Sequence, residues 1–175
     1  TVVGGNNFFN LGKRPSSGKQ ASSFTLTSSA AITVLTLALQ ATGAAGGQPS
    51  TADTHVLTIR DASCDEIQTA TAPGGGSGSS PLTRGSEVTF CSPPMLPAGV
   101  YWFTWEIQSG NPMAKYIWKG YTKEDAYAGG SLCDPETGAP IAGKEDWDAR
   151  FGITADGCSA ASELVCGMEA PGCTS

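Results

Sequence analysis

Hydrophobic and polar positions alternate with a period of two along most of this chain. Residues 22–27 and 31–40 follow the pattern, with Leu35, Leu37 and Leu39 in one phase and Val34, Thr36 and Ala38 in the other. Successive side chains of a strand point to opposite faces, so both stretches are predicted strands. Residues 55–61 place His55, Leu57 and Ile59 in one phase against Val56, Thr58 and Arg60. A short strand over 87–92 precedes a proline-rich turn, and residues 100–108 form the strongest strand in the chain. There Tyr101, Phe103 and Trp105 share a face, with Trp102 and Thr104 opposite, and both faces read as buried. Residues 115–121 and 147–154 are two further predicted strands, the latter with Trp147, Ala149, Phe151 and Ile153 in phase. Residues 43–51, 73–85 and 129–144 are read as loops. The 73–85 stretch is dominated by Gly and Ser and has little to pack. Only the tail around 160–165 reads as helical, for a turn or two.

Roughly seven or eight short strands separated by Gly/Pro loops predict an all-β fold, a single jelly-roll-like β-sandwich. Composition agrees, because 23 glycines and 11 prolines in 175 residues, with only 15% charged residues, leave too few helix formers for a bundle. One domain accommodates this length. We divide it into an N-terminal arm over 1–20, the sandwich over 21–156 and a Cys-rich tail over 157–175. Sixteen acids against ten bases, with no basic run, exclude a sequence-independent nucleic-acid binder. The longest apolar-leaning stretch, 30–41, is interrupted by Thr33, Thr36 and Gln40 and is too short to cross a bilayer, so membrane insertion is not expected.

The six cysteines, Cys64, Cys91, Cys133, Cys158, Cys166 and Cys173, include no C-x-x-C pair, so redox and zinc-ribbon spacings are absent. An even number of cysteines with one histidine, in a chain rich in Ser, Thr and Gly, fits a disulfide framework formed in an oxidising compartment. An extracellular or cell-surface protein is therefore expected. Six cysteines allow about fifteen pairings, and spacing does not choose among them. The chain begins at Thr1 without a positively charged apolar leader, so an earlier signal or precursor segment is expected to have been removed.

Several segments, in order, carry a resemblance. They are Ser22-Ser23-Phe24-Thr25, the 34–39 strand, Val56-Leu57-Thr58-Ile59-Arg60-Asp61, Leu96-Pro97-Ala98-Gly99-Val100-Tyr101-Trp102, Gly129-Gly130 and Asp148-Ala149-Arg150-Phe151-Gly152-Ile153. Over about residues 20–155 this succession resembles the choice-of-anchor β-sandwich domains of bacterial secreted and surface proteins; its most specific piece is the Pro-Ala-Gly turn into Tyr101-Trp102. The resemblance implies a non-catalytic surface or adhesive module and brings no catalytic residues with it. The chain departs from those domains in its six cysteines and in carrying no C-terminal sorting signal, which puts cell-wall anchoring in doubt.

Candidate chemistry is sparse. His55 is in phase with two core positions and reads as a packed side chain rather than a general base. Glu106, Asp146 and Asp148 are the carboxylates nearest to aromatic residues, but acids are common and glycoside hydrolysis needs a fixed pair. No enzyme is expected, and no cofactor except calcium as a candidate. Calcium takes clustered hard oxygens, which Asp134, Glu136, Asp146 and Asp148 supply on loops, although a solvated acidic face is the reading we favour. Trp118, Tyr121, Tyr127 and Trp147 border the predicted loops and could offer flat faces to a sugar, though core packing accounts for them at least as well.

Charge is unevenly placed. Residues 1–23 hold three bases and no acid, whereas ten of the sixteen acids fall between Glu124 and Glu169. A basic arm with Phe8, Phe9 and Leu11 can lay its strand against the next copy while Lys13 and Arg14 meet carboxylates, which builds a filament or layer of identical subunits. Folding back as an edge strand of its own sandwich is the equal alternative. A self-assembling structural subunit is thus the first expectation, and a monomeric module binding surface glycans the second.

Overall fold

The computed structural model describes residues 9–10, 19–37, 39–41, 54–73, 86–108, 116–121, 130–143, 148–149 and 151–156. These residues hold β1 (Phe9–Asn10), β2 (Lys19–Leu26), β3 (Ala30–Leu37), β4 (Leu39–Ala41), β5 (Thr54–Arg60), β6 (Glu66–Pro73) and β7 (Ser86–Thr89). There follow β8 (Met95–Leu96), β9 (Gly99–Gln108), β10 (Tyr116–Tyr121), β11 (Leu132–Cys133), β12 (Asp148–Ala149) and β13 (Phe151–Asp156). No helix occurs among them.

β9 has four aromatic residues in ten positions, two of them tryptophan, and it takes the central place in a five-stranded antiparallel sheet ordered β11-β2-β9-β5-β6. A second antiparallel sheet runs β13-β3-β7, with β8 pairing on β3. A further ladder, β1-β10-β12 with β4 on β10, joins the first strand of the chain to three strands that lie between β3 and β13 in sequence.

Period-two alternation decides which side chains meet. Tyr101, Phe103, Trp105 and Ile107 of β9, Phe24 of β2 and Leu57 and Ile59 of β5 form one core cluster with Ile32, Leu35, Leu37, Val88 and Phe151 of the other sheet. Phe103 and Phe151 meet edge to face, 5.1 Å between centroids, and join the two sheets. Two antiparallel sheets thus pack apolar face to apolar face, as in a β-sandwich.

Four departures from the sequence expectation stand out. β6 was not foreseen, because its Thr-Ala alternation carries little hydrophobic contrast. The predicted loop over 129–144 contains β11, and the proline-rich turn contains β8. β2 starts at Lys19, inside the stretch assigned to the arm. The helical tail lies outside the described residues.

Candidate functional site

The outer face of the five-stranded sheet carries the most organised polar structure. Trp102 points away from the core, because its strand neighbours Tyr101 and Phe103 point in. Register places it between Ser23 of β2 and Arg60 of β5. Its indole N–H donates to the Asp61 carbonyl at 2.7 Å, and the Arg60 guanidinium lies 5.7 Å from the ring centroid. Arg60 also donates to the Cys64 carbonyl at 2.9 Å and faces Glu66 at 3.8 Å. Asp61 closes the β5–β6 turn by accepting from the Ser63 and Asp65 amides.

Over this ring lies the loop that follows β11. Asp134 Oδ1 accepts from the amides of Glu136 and Thr137 and from the Thr137 hydroxyl, which holds its carboxyl below the usual carboxylate range. Gly138, at φ +67°, ends the turn against Trp102. The Asp-Pro-x-x-Gly string is the sequence signal for that turn. Alternation places Trp102 on the face opposite the main core and reads that face as buried, but nothing in it says which loop covers the ring.

Beside Trp102, the outer face continues as a hydroxyl row. Register aligns Thr104, Thr58 and Thr69 across β9, β5 and β6. Thr69 donates to Glu66 Oε1 at 2.8 Å, so the 2.8 Å contact between Thr58 and Thr69 is donated by Thr58. Thr58, Thr69 and Glu66 thus form one chain of donors and acceptors along the row.

The expected site residues are distributed as follows. Phe9 lies in β1, which pairs with β10 of its own chain through Phe9↔Gly120 and Asn10↔Lys119. Phe8, Leu11, Lys13 and Arg14 lie outside the described residues. Trp118 and Tyr121 lie on β10, where Trp118 is in register with Leu39 and Tyr121 with Asp148. Tyr127, Trp147 and Asp146 lie outside the described residues. The structure therefore brings Tyr121 and Asp148 to one position in the ladder and leaves Asp134 and Glu136 on the separate loop after β11.

Among the described residues, no group of three or more His, Cys, Asp or Glu is arranged to hold a metal ion. Asp134 spends one carboxylate oxygen on its own turn, and Glu136 lies 3.9 Å from Lys19. His55 is fully buried and accepts a hydrogen bond from Trp105 at 3.0 Å. Glu106 is half-buried on the outer face, in register with Lys19 and Val56.

The cysteines depart from a uniform framework. Cys64 and Cys133 are free thiols, contrary to the expectation of a disulfide at each of them. Cys133 is buried, and burial pushes its thiol pKa up. Cys91 is disulfide-bonded, so its partner is neither of those two. Cys158, Cys166 and Cys173 lie outside the described residues.

Among the described residues, no helix is long and apolar enough to cross a membrane. No protein-family model matches the chain, and no curated protein matches it significantly.

Proposed function

We propose that this protein is a non-catalytic, extracellular β-sandwich subunit that assembles with copies of itself by exchanging its N-terminal strand. The observation behind this reading is that the arm pairs as a strand at all, Phe9–Asn10 against β10, here in the folded-back arrangement within its own chain that assembly would exchange for the same pairing with a second copy. The donor is a two-residue strand near the start of the chain, it sits at the edge of its ladder, and it is separated in sequence from β2 by residues 11–18. A short terminal strand that pairs within its own chain can make the same contacts with another copy, at little cost beyond that of association. The basic residues Lys13 and Arg14 and the acid-rich last third of the chain favour such a head-to-tail contact. Burial of the chain's one histidine in the core supports a non-catalytic role. Within this reading the sandwich is jelly-roll-like, related to the choice-of-anchor domains, with residues 1–20 as the arm and 157–175 as a disulfide-tethered tail.

The pairing of β1 within its own chain equally favours the second reading, a monomeric module that binds surface glycans through β10 and its neighbours. Deleting residues 1–19 separates the two. Electron microscopy and size-exclusion chromatography of the non-reduced protein, with and without calcium, should show polymers that vanish on truncation. Polymers that persist without the arm would sink strand exchange. A monomer in every condition, with glycan binding retained after truncation, would establish the second reading.

A further inference from the structure

We propose that Cys64 and Cys133, free thiols in this structure, are the reduced form of a disulfide that in the oxidised protein fastens the 61–65 turn to the loop after β11. The two residues are 69 positions apart, yet both belong to one small cluster on the outer face: Ala21, Trp102 and Cys133 are buried together, and Cys64 packs against them. Cys64 Sγ donates to the carbonyl of Thr137, in the loop that Cys133 opens, at 3.0 Å. Cys133 Sγ donates to the Ser131 carbonyl at 3.3 Å. Thiols are weak donors, so closing the bond gives up little as the Cys64 sulfur moves from Thr137 onto Cys133.

The surroundings already bring these elements together. The turn is held by Trp102 donating to Asp61 and by Arg60 donating to Cys64, and the loop rests on Trp102 through Gly138. Cys91 is engaged elsewhere and does not compete for either sulfur.

The oxidant is a small-molecule disulfide such as oxidised glutathione. Cys64 is the partly exposed thiol and enters first: its thiolate attacks the small disulfide, forms a mixed disulfide and expels one glutathione thiolate. Buried Cys133 then loses its proton, attacks the Cys64 sulfur and expels the second. Two protein thiols become one disulfide, and one oxidised glutathione becomes two reduced molecules. None of this depends on strand exchange.

Trypsin places Cys64 in residues 61–84 and Cys133 in residues 124–144, each as that peptide's sole cysteine. The folded protein would be incubated with oxidised glutathione, its free thiols alkylated and the monomer band of a non-reducing gel digested for mass spectrometry. A linked pair of these two peptides, lost on reduction, is expected. Oxidised wild type should melt about 5–15 °C above a Cys64→Ser variant. Recovery of both peptides as alkylated thiols, or of Cys64 joined to any other peptide, would overturn the assignment. The mapping uses the wild-type chain and stands even if a variant fails to fold.

Discussion

Trp105 donates its indole N–H to Nδ1 of His55 at 3.0 Å inside the apolar core. An indole nitrogen can only donate, so Nδ1 carries no proton in this contact. The rings also stack, 5.9 Å between centroids. Replacing one partner leaves a buried polar atom without this bond, whereas replacing both removes donor and acceptor together. Trp105→Phe should therefore cost about 1–3 kcal/mol beyond its lost contact area. The Trp105→Phe/His55→Leu double variant should be less destabilised than the sum of its singles. Urea midpoints of the four proteins test this, and simple additivity would mean that the bond contributes nothing.

Phe103 is the residue on which the two sheets lean. It is fully buried, touches Phe24 within its own sheet and meets Phe151 of β13 edge to face. Phe103→Ala should cost about 3–5 kcal/mol, because the rigid surroundings leave a cavity in place of the ring. Thr71→Ala, at an exposed position of β6, should stay within about 0.5 kcal/mol of wild type. Equal midpoints for the two variants would mean that Phe103 does not join the two sheets.

Alternation alone was enough to locate the core, and particular residues show why. In β9, Tyr101, Phe103 and Trp105 alternate with Trp102 and Thr104, and all five are buried as the pattern implies. β5 likewise buries His55, Leu57 and Ile59. β6 escaped notice because Gln68, Ala70 and Ala72 face inward while Thr69 and Thr71 face out, a contrast too small to register against ordinary loop composition. The Trp102 cluster escaped for a different reason. It depends on a loop more than thirty residues away folding over the outer face, and such a contact leaves no periodic trace in sequence.

Gly138 and Gly143 both have positive φ, at +67° and +76°, but only Gly138 meets a wall. A Cβ there would lie 2.8 Å from Cε2 and 2.9 Å from Nε1 of Trp102. The ring cannot retreat without giving up its bond to Asp61. Gly138→Ala should cost about 1–3 kcal/mol from overpacking, added to about 1–2 kcal/mol for the left-handed backbone. Gly143→Ala, whose added Cβ meets nothing within 4 Å among the described residues, carries only the backbone cost. Thermal melts of the two variants should differ in that order, and a Gly143→Ala protein as unstable as Gly138→Ala would show that the ring does not hold the loop.

Asp134 gives the loop a pH dependence of known sign. Its carboxylate accepts two amides and a hydroxyl, which lowers its folded-state pKa from the ordinary value of 3.8. A lowered carboxylate pKa means that the ionised form favours the folded loop. The contribution is complete above 3.8, where the group is ionised in both states, and is lost as pH falls through the lower folded-state value. The Thr137 amide proton, which points at Oδ1, should report this in an NMR titration as a transition centred below 3.8. In Asp134→Asn the transition should disappear, while the amide bonds survive in weaker, uncharged form. A midpoint at or above 3.8, or an unchanged transition in the variant, would mean that Asp134 does not hold the turn over Trp102.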